Sequence, residues 1–361
     1  MAGKNAISRR TLLTRAASCA AAGLAGTFLG SSTEAQTRPI APAGSAGQKI
    51  WSKEYWAKKG DVSLYIFRKR MGDPAEDHQK RPVLFLAHGS SVSSRPTFDL
   101  HVPGHDDEYS LMDKFASYGF DLWTMDFEGY GRSSPGTGNS DVATGAADLK
   151  AASQLVLRET GLPRFHLYGE SGGALRAGVF AMAEPQVIDR LVLVGFTWTG
   201  KGSPTLTKRA KRAEYYRTHN RRPRDRKMIR SIFTRDKPGT SDPAVAEAMA
   251  DAELKFGDTA PTGTYLDMIT KLPLVDPLRI KAPVMIARGQ YDGIATEQDC
   301  LNFFQKLPVP DREFVVLPGA AHAIALGVNR RQFWHVLRSY LEMPKRLDLS
   351  ASAGGKEDQP K

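Results

Sequence analysis

Short continuous apolar runs alternate with segments of helical spacing along most of this chain, and no other feature restricts its fold as tightly. The runs PVLFLAHG, FDLWTMDF, RFHLYG, DRLVLVGF, APVMIARG and REFVVLPG each lead into a turn. Between and after them lie DEYSLMDKFASYG, DVATGAADLKAASQLVLRETG, SGGALRAGVFAMAE, TEQDCLNFFQKL and RRQFWHVLRSYLE, in which apolar residues recur at helical intervals. A strand that is apolar at every position is buried on both faces. A mostly parallel sheet with helices on both sides meets that condition, so the pattern predicts an α/β domain over residues 48–343. Ahead of it, IWSKEYWAKKGDVSLYIFRKR reads as a hairpin turning at Lys59-Gly60-Asp61. The alternation stops near Phe196 and resumes at APVMIARG; the insertion between, about 197–272, has helical patches and no strand signal. A polar tail, 344–361, follows.

Before the domain the chain has a different character. Arg9-Arg10 and Leu12-Leu13 precede an Ala/Gly/Leu-rich, weakly apolar stretch, and Thr33-Glu34-Ala35 offers small residues where a signal peptidase reads. Residues 1–35 resemble a twin-arginine secretion signal, which implies the twin-arginine export machinery as a partner and a periplasmic or secreted destination. Residues 36–47, QTRPIAPAGSAG, read as a linker. Cys19 lacks a leucine three residues before it, so no lipoprotein anchor and no stable membrane anchor is expected. With the signal removed Cys300 is the only cysteine, which excludes a disulfide within the mature monomer.

Charge is concentrated in one place. The formal net charge is +11, and residues 201–237 alone carry 14 Lys/Arg against Glu214, Asp225 and Asp236. Residues 1–35 add a net +3, so the remainder is slightly acidic. Nucleic-acid binding does not fit such a balance. The basic segment reads first as the solvated face of a helical cap; its alternative role is to attract anionic substrates, with Arg221, Arg222 and Arg224 as the cations to reverse in a test.

The chemistry centres on Gly169-Glu170-Ser171-Gly172-Gly173, a G-x-S-x-G between a strand and a helix. The turn is so tight that a Cβ two residues before or after the serine would strike backbone. It lifts the hydroxyl above the sheet edge, and the helix amino terminus adds positive potential where an oxyanion would form. A serine nucleophile needs a base, and the base needs a carboxylate to orient it. Asp292 follows APVMIARG and His322 follows REFVVLPG, each just past the carboxyl end of its strand, where open α/β sheets build sites. The backbone N–H groups of Ser90, in FLAHGSS, and of Gly172 are the expected oxyanion donors. His88 and the loop MDFEGYGRSS read as structural. Glu170, Phe98, Tyr130, Trp198 and Tyr291 are candidate substrate-binding residues; Phe98 lies in a loop read as lining the acyl or alcohol pocket with Leu100 and Val102, and Tyr130, Trp198 and Tyr291 serve equally as core. His101, His105, Asp106 and Asp107 have the composition of metal ligands, without a diagnostic spacing.

With HGS at 88–90, DFEGYGRS at 126–133, GESGG at 169–173, G-x-x-D at 289–292 and His322 in GAAH, the chain resembles the α/β-hydrolase superfamily over about residues 48–343. The resemblance implies an eight-stranded, mostly parallel sheet and a helical cap inserted after LVLVGF. The superfamily often has arginine where this chain has Glu128. Its epoxide hydrolases and haloalkane dehalogenases use an aspartate nucleophile, against which Ser171 speaks. The expectation is a serine hydrolase that cleaves small-molecule carboxylic esters and needs no metal or organic cofactor. Amide or peptide cleavage of aminopeptidase type, and cofactor-free perhydrolase chemistry, remain alternatives on the same three residues. Oligomeric state is not legible.

Overall fold

The computed structural model describes residues 49–105 and 109–344. The twin-arginine signal, the linker 36–47, Asp106, Asp107 and the tail from residue 345 lie outside the described residues. Ten strands are present among the described residues: β1 (Ile50–Lys59), β2 (Val62–Met71), β3 (Val83–Ala87), β4 (Asp121–Met125), β5 (Phe165–Glu170), β6 (Ile188–Val194), β7 (Arg221–Pro223), β8 (Thr259–Pro261), β9 (Val284–Gly289) and β10 (Arg312–Leu317). Eight form one sheet in the order β1-β2-β4-β3-β5-β6-β9-β10. β1 and β2 pair antiparallel through the turn at Gly60-Asp61, and β2 pairs antiparallel with β4. From β4 to β10 all pairings are parallel.

The continuous apolar strands are explained by two cores. β3 sends Val83, Phe85 and Ala87 to one face and Leu84 and Leu86 to the other; β9 divides Val284 and Ile286 from Met285 and Ala287 in the same way. One face is covered by the helices Val142–Thr160, Gly172–Ala183 and Glu297–Lys306, the other by Leu111–Ser117 and Arg330–Leu341. The longest helix is bounded by local chemistry. The Asp141 side chain accepts from the Thr144 N–H, and Gly161 closes the helix at φ 62°, a left-handed value that costs glycine little. Among the described residues no helix is long and apolar enough to cross a membrane.

The insertion between β6 and β9 contains the helices Pro204–Ala210, Ala213–Thr218, Arg226–Thr234, Pro243–Glu253 and Gly263–Thr270. It also contains two strands that the sequence does not announce: β7 pairs antiparallel with β8. RRP and TAP are too short to carry an apolar alternation. Their pairing is set by contacts across the insertion, including Arg221 Nε donating to Thr259 Oγ1 at 2.8 Å. Ile229, Phe233, Val245 and Met249 of the insertion pack with Val92, Leu100 and Val102, which ties it to the loop after β3.

Candidate active site

Ser171 stands between β5 and the helix Gly172–Ala183 with φ 54° and ψ −120°. A non-glycine residue held there stores roughly 1–3 kcal/mol of strain, and the surroundings must enforce it. They do: the Ser171 N–H donates to Val194 O at 2.8 Å, and the flanking glycines let backbone segments meet. A Cβ on Gly169 would lie 2.5 Å from Gly173 O, and one on Gly173 would lie 2.2 Å from Ala87 O.

His322, in the loop after β10, places Nδ1 2.8 Å from Asp292 Oδ2, in the loop after β9. Asp292 is buried, and its other oxygen accepts from the N–H groups of Ile294 (2.8 Å) and Ala295 (3.0 Å). Burial works to raise its pKa, but the His322 attraction and these hydrogen bonds outweigh that and hold the carboxyl below its ordinary range. Gly195, just past β6, makes room for the ring. At φ 56°, a Cβ there would come 2.9 Å from His322 Cε1. That requirement is invisible in the sequence, where Gly195 is one turn residue among many.

Ser90 lies directly against Gly172: a Cβ on Gly172 would fall 1.9 Å from Ser90 Oγ. The loop carrying Ser90 is braced from beneath. Tyr130 donates its hydroxyl to Ser90 O at 3.1 Å, and His88 Nδ1 is 2.7 Å from Gly89 O. His88 Nε2 accepts from the Phe127 N–H at 3.1 Å, so the proton sits on Nδ1. Burial pushes His88 down to about 3, which keeps it neutral and structural. Asp126 closes the other side, accepting from Ser94 N–H (2.8 Å), Ser94 Oγ (2.6 Å) and Arg132 N–H (2.8 Å).

Ser171, His322, Ser90 and Glu170 line one narrow cleft of about 50 Å³, with Gly89, Ser91, Val92, Ile294 and Ala323. The insertion supplies the opposing wall: Arg209, Ile232, Arg235 and Tyr265. Glu170 is half-buried; burial raises its carboxyl to about 7, and Tyr168 Oη lies 3.1 Å from Oε2. A larger groove of about 620 Å³ between the 93–103 loop and the helix Pro243–Glu253 contains neither Ser171 nor His322.

The four aromatic candidates do not reach the cleft. Phe98 is fully buried against Tyr168, with ring centroids 5.6 Å apart. Tyr130 is buried under the Ser90 loop. Trp198 packs on Phe303 and donates Nε1–H to Val275 O at 3.0 Å. Tyr291 is 39% exposed, beside Lys237. The aromatic that does line the cleft is Tyr265, on a short insertion helix where no motif marks it in the sequence.

Most cations of the basic segment are exposed, as a solvated face requires, but three of its arginines turn inward. Arg222 and Arg224 are 5% and 2% exposed, and Arg221 donates to Gly129 O at 3.1 Å, so these three are not the free cations expected at the entrance. Arg224 pairs with buried Glu253. Polar partners remote in sequence turn the three inward, whereas Arg209 and Arg235 line the cleft.

A family model described as serine aminopeptidase, S33, matches residues 105–327. Over 127 residues the chain is 33% identical to 2-hydroxy-6-oxononadienedioate/2-hydroxy-6-oxononatrienedioate hydrolase of Paraburkholderia phymatum, covering 35% of this chain and 38% of that one. It is likewise 33% identical over 124 residues to the protein of that name from Burkholderia vietnamiensis, at 34% and 38% coverage. The match thus spans less than two fifths of the length of these curated relatives. Among solved structures, an esterase from Exiguobacterium antarcticum aligns with TM-score 0.59 and 14% identity over 80% of this chain and 98% of that one. The 2-hydroxy-6-oxo-6-phenylhexa-2,4-dienoate hydrolase of Rhodococcus sp. strain RHA1 aligns with TM-score 0.57 and 18% identity over 81% and 99%. These likenesses establish the fold. With the eight-stranded sheet and the family match over residues 105–327, the chain belongs to the serine aminopeptidase S33 family of α/β-hydrolases.

Proposed function

We propose that the protein is a serine hydrolase of carboxylic esters, with Ser171 as nucleophile, His322 as base and Asp292 as the carboxylate that orients it. The observation that carries this reading is one arrangement. A serine held at positive φ shares a cleft with a histidine whose Nδ1 is 2.8 Å from a buried, hydrogen-bonded aspartate. Ser171 Oγ attacks the ester carbonyl while His322 takes its proton. The N–H groups of Ser90 and Gly172 hold the oxyanion, at the positive end of the helix Gly172–Ala183. His322 then protonates the leaving alcohol, and water releases the acyl group by the reverse route.

Hydrolysis of a carbon–carbon bond beside a ketone is the second reading. The Paraburkholderia and Burkholderia relatives favour it, since both are named as dienedioate and trienedioate hydrolases. Aminopeptidase chemistry fits the cleft less well. Glu170 is the one carboxyl among the described residues lining it, and Arg209 and Arg235 would repel a substrate ammonium.

A fluorophosphonate probe should label the wild type and not Ser171→Ala. Ser171→Ala and His322→Ala should each lower kcat by ~10⁴-fold or more on aryl esters, since such groups act as a unit. Undiminished ester turnover in Ser171→Ala refutes the proposal. A Ser171-dependent enzyme that cleaves vinylogous diketone acids but no ester moves it to the second reading.

A further inference from the structure

The wall facing Ser171 is cationic and poor in counter-charge. Arg209 and Arg235 line the cleft, and Arg222 lies directly behind Tyr265. The Arg209 guanidinium stacks on the Tyr265 ring at 3.8 Å, and the Arg222 guanidinium on the same ring at 4.2 Å. Arg222 Nη2 donates to the Tyr265 hydroxyl at 2.8 Å, and Ser91 Oγ lies 2.7 Å from that hydroxyl.

Acidic partners are few. Arg209 Nη1 meets the Met268 sulfur, at 3.1 Å, and no carboxylate among the described residues. Arg222 is 5% exposed, and its Nε is buried with no acceptor among the described residues. Arg235 faces one carboxylate, Asp236, at 3.5 Å. Burial would raise the Tyr265 phenol, yet the pull of Arg222, Arg209 and the other neighbours brings it down to about 8. The same positive potential would act on any anion in the cleft. Cations brought together in a low-dielectric site without matching carboxylates form a costly arrangement unless an anion completes it.

We infer that Arg209, Arg235 and the Tyr265 hydroxyl form a carboxylate subsite within the catalytic cleft, so that the substrate is a carboxylate-bearing ester such as a half-ester of a dicarboxylic acid. This rests on the proposed Ser171 hydrolase. It differs from diffuse steering by a basic surface, because both arginines line the cleft that holds Ser171 and Arg209 is held there against Tyr265, so that they would hold the substrate as well as attract it. Arginine is the fitting side chain for such a role. Its planar fork offers a carboxylate two parallel N–H donors, and Tyr265 limits where Arg209 can point.

The test uses the full chain and a pair of aryl esters: monoaryl adipate or glutarate, and the same half-ester with its free carboxylate capped as a methyl ester. In the wild type, kcat/KM should favour the half-ester. In Arg209→Gln and Arg235→Gln that preference should fall by ~10- to 100-fold, the usual loss when a charged hydrogen bond is removed. Arg235→Lys should keep part of it. The preference should survive an increase from low to ~0.15 M salt, whereas long-range steering is screened there. Independently of turnover, glutarate or adipate should bind Ser171→Ala by calorimetry, compete with substrate, and lose affinity when Arg209→Gln is added.

Equal kcat/KM for the two esters, or a preference that both arginine variants retain, overturns the subsite and leaves the hydrolase standing. Dicarboxylate inhibition that is noncompetitive also overturns it. If neither ester is cleaved and Ser171 is not labelled, the hydrolase reading fails. The calorimetric result then decides the subsite alone: binding lost in Arg209→Gln supports it, and no binding overturns it.

Discussion

Glu253→Gln should destabilise the protein far more than its distance from the reaction suggests. Glu253 lies at the end of the insertion helix Pro243–Glu253 and is fully buried. One of its oxygens pairs with Arg224; the other accepts from Ser93 N–H at 2.9 Å and from Ser93 Oγ at 2.6 Å. Burial pushes the Glu253 carboxyl up and the Arg224 guanidinium down, so each carries a desolvation cost that the other offsets only in part. Glutamine keeps an acceptor for Ser93 and removes the charge. Arg224, 2% exposed, then retains Gly257 O at 2.8 Å and no carboxylate. Breaking a buried pair in this way costs about 3–5 kcal/mol. With a urea m-value of roughly 3 kcal/mol/M, the unfolding midpoint should drop by about 1–1.7 M. Adding Arg224→Met removes the orphaned charge, so the double variant should recover part of the loss rather than deepen it. Urea titrations followed by far- and near-ultraviolet dichroism together would measure both, with coincident transitions as the check on two-state behaviour. A midpoint shift under about 0.3 M for Glu253→Gln, or a double variant that loses the sum of the singles, would refute the reasoning.

Gly195→Ala forces a Cβ into left-handed backbone and against His322 Cε1, 2.9 Å away; steady-state kinetics should show kcat reduced ~10- to 100-fold with KM changed less, and a wild-type kcat would contradict it. Glu170 is raised from 4.5 to about 7 by burial, so the folded chain holds a proton that the unfolded chain releases between these values. Stability therefore falls as pH rises from about 4.5 to 7 and stays reduced above, by about 2 kcal/mol once partial exposure is allowed for. Glu170→Gln lacks this titration, and its Tm relative to wild type should climb across that window; a pH-independent difference would count against it. Export is a proposal carried by Arg9-Arg10: replacing both with lysine should leave unprocessed precursor in the cytoplasm, and normal processing in a fractionation experiment would reject it.

Much of this architecture follows from rules that act over a few residues. Strands apolar at every position demand a sheet covered on both faces, and β3 and β9 divide their side chains between two cores accordingly. Gly169 and Gly173 around Ser171 are a stereochemical requirement of a sharp turn, legible wherever it occurs. Asp292 and His322 stand out because each follows a strand at its carboxyl end, although 30 residues separate the pair that meets at 2.8 Å. The cleft wall obeys no local rule. Phe98, Tyr130 and Trp198 are as apolar as Tyr265, and only packing of the insertion against the sheet puts one in the cleft and the others in the core or beneath the Ser90 loop. The same holds for charge. Composition marks residues 201–237 as basic but cannot separate Arg224, drawn inward by Glu253, from Arg209 and Arg235, which face Ser171. Periodicity and turn stereochemistry are properties of neighbouring residues and can be read along the chain. The partner of a buried charge, and the side of a wall on which an aromatic falls, depend on contacts between segments far apart in sequence, and those exist only once the chain has folded.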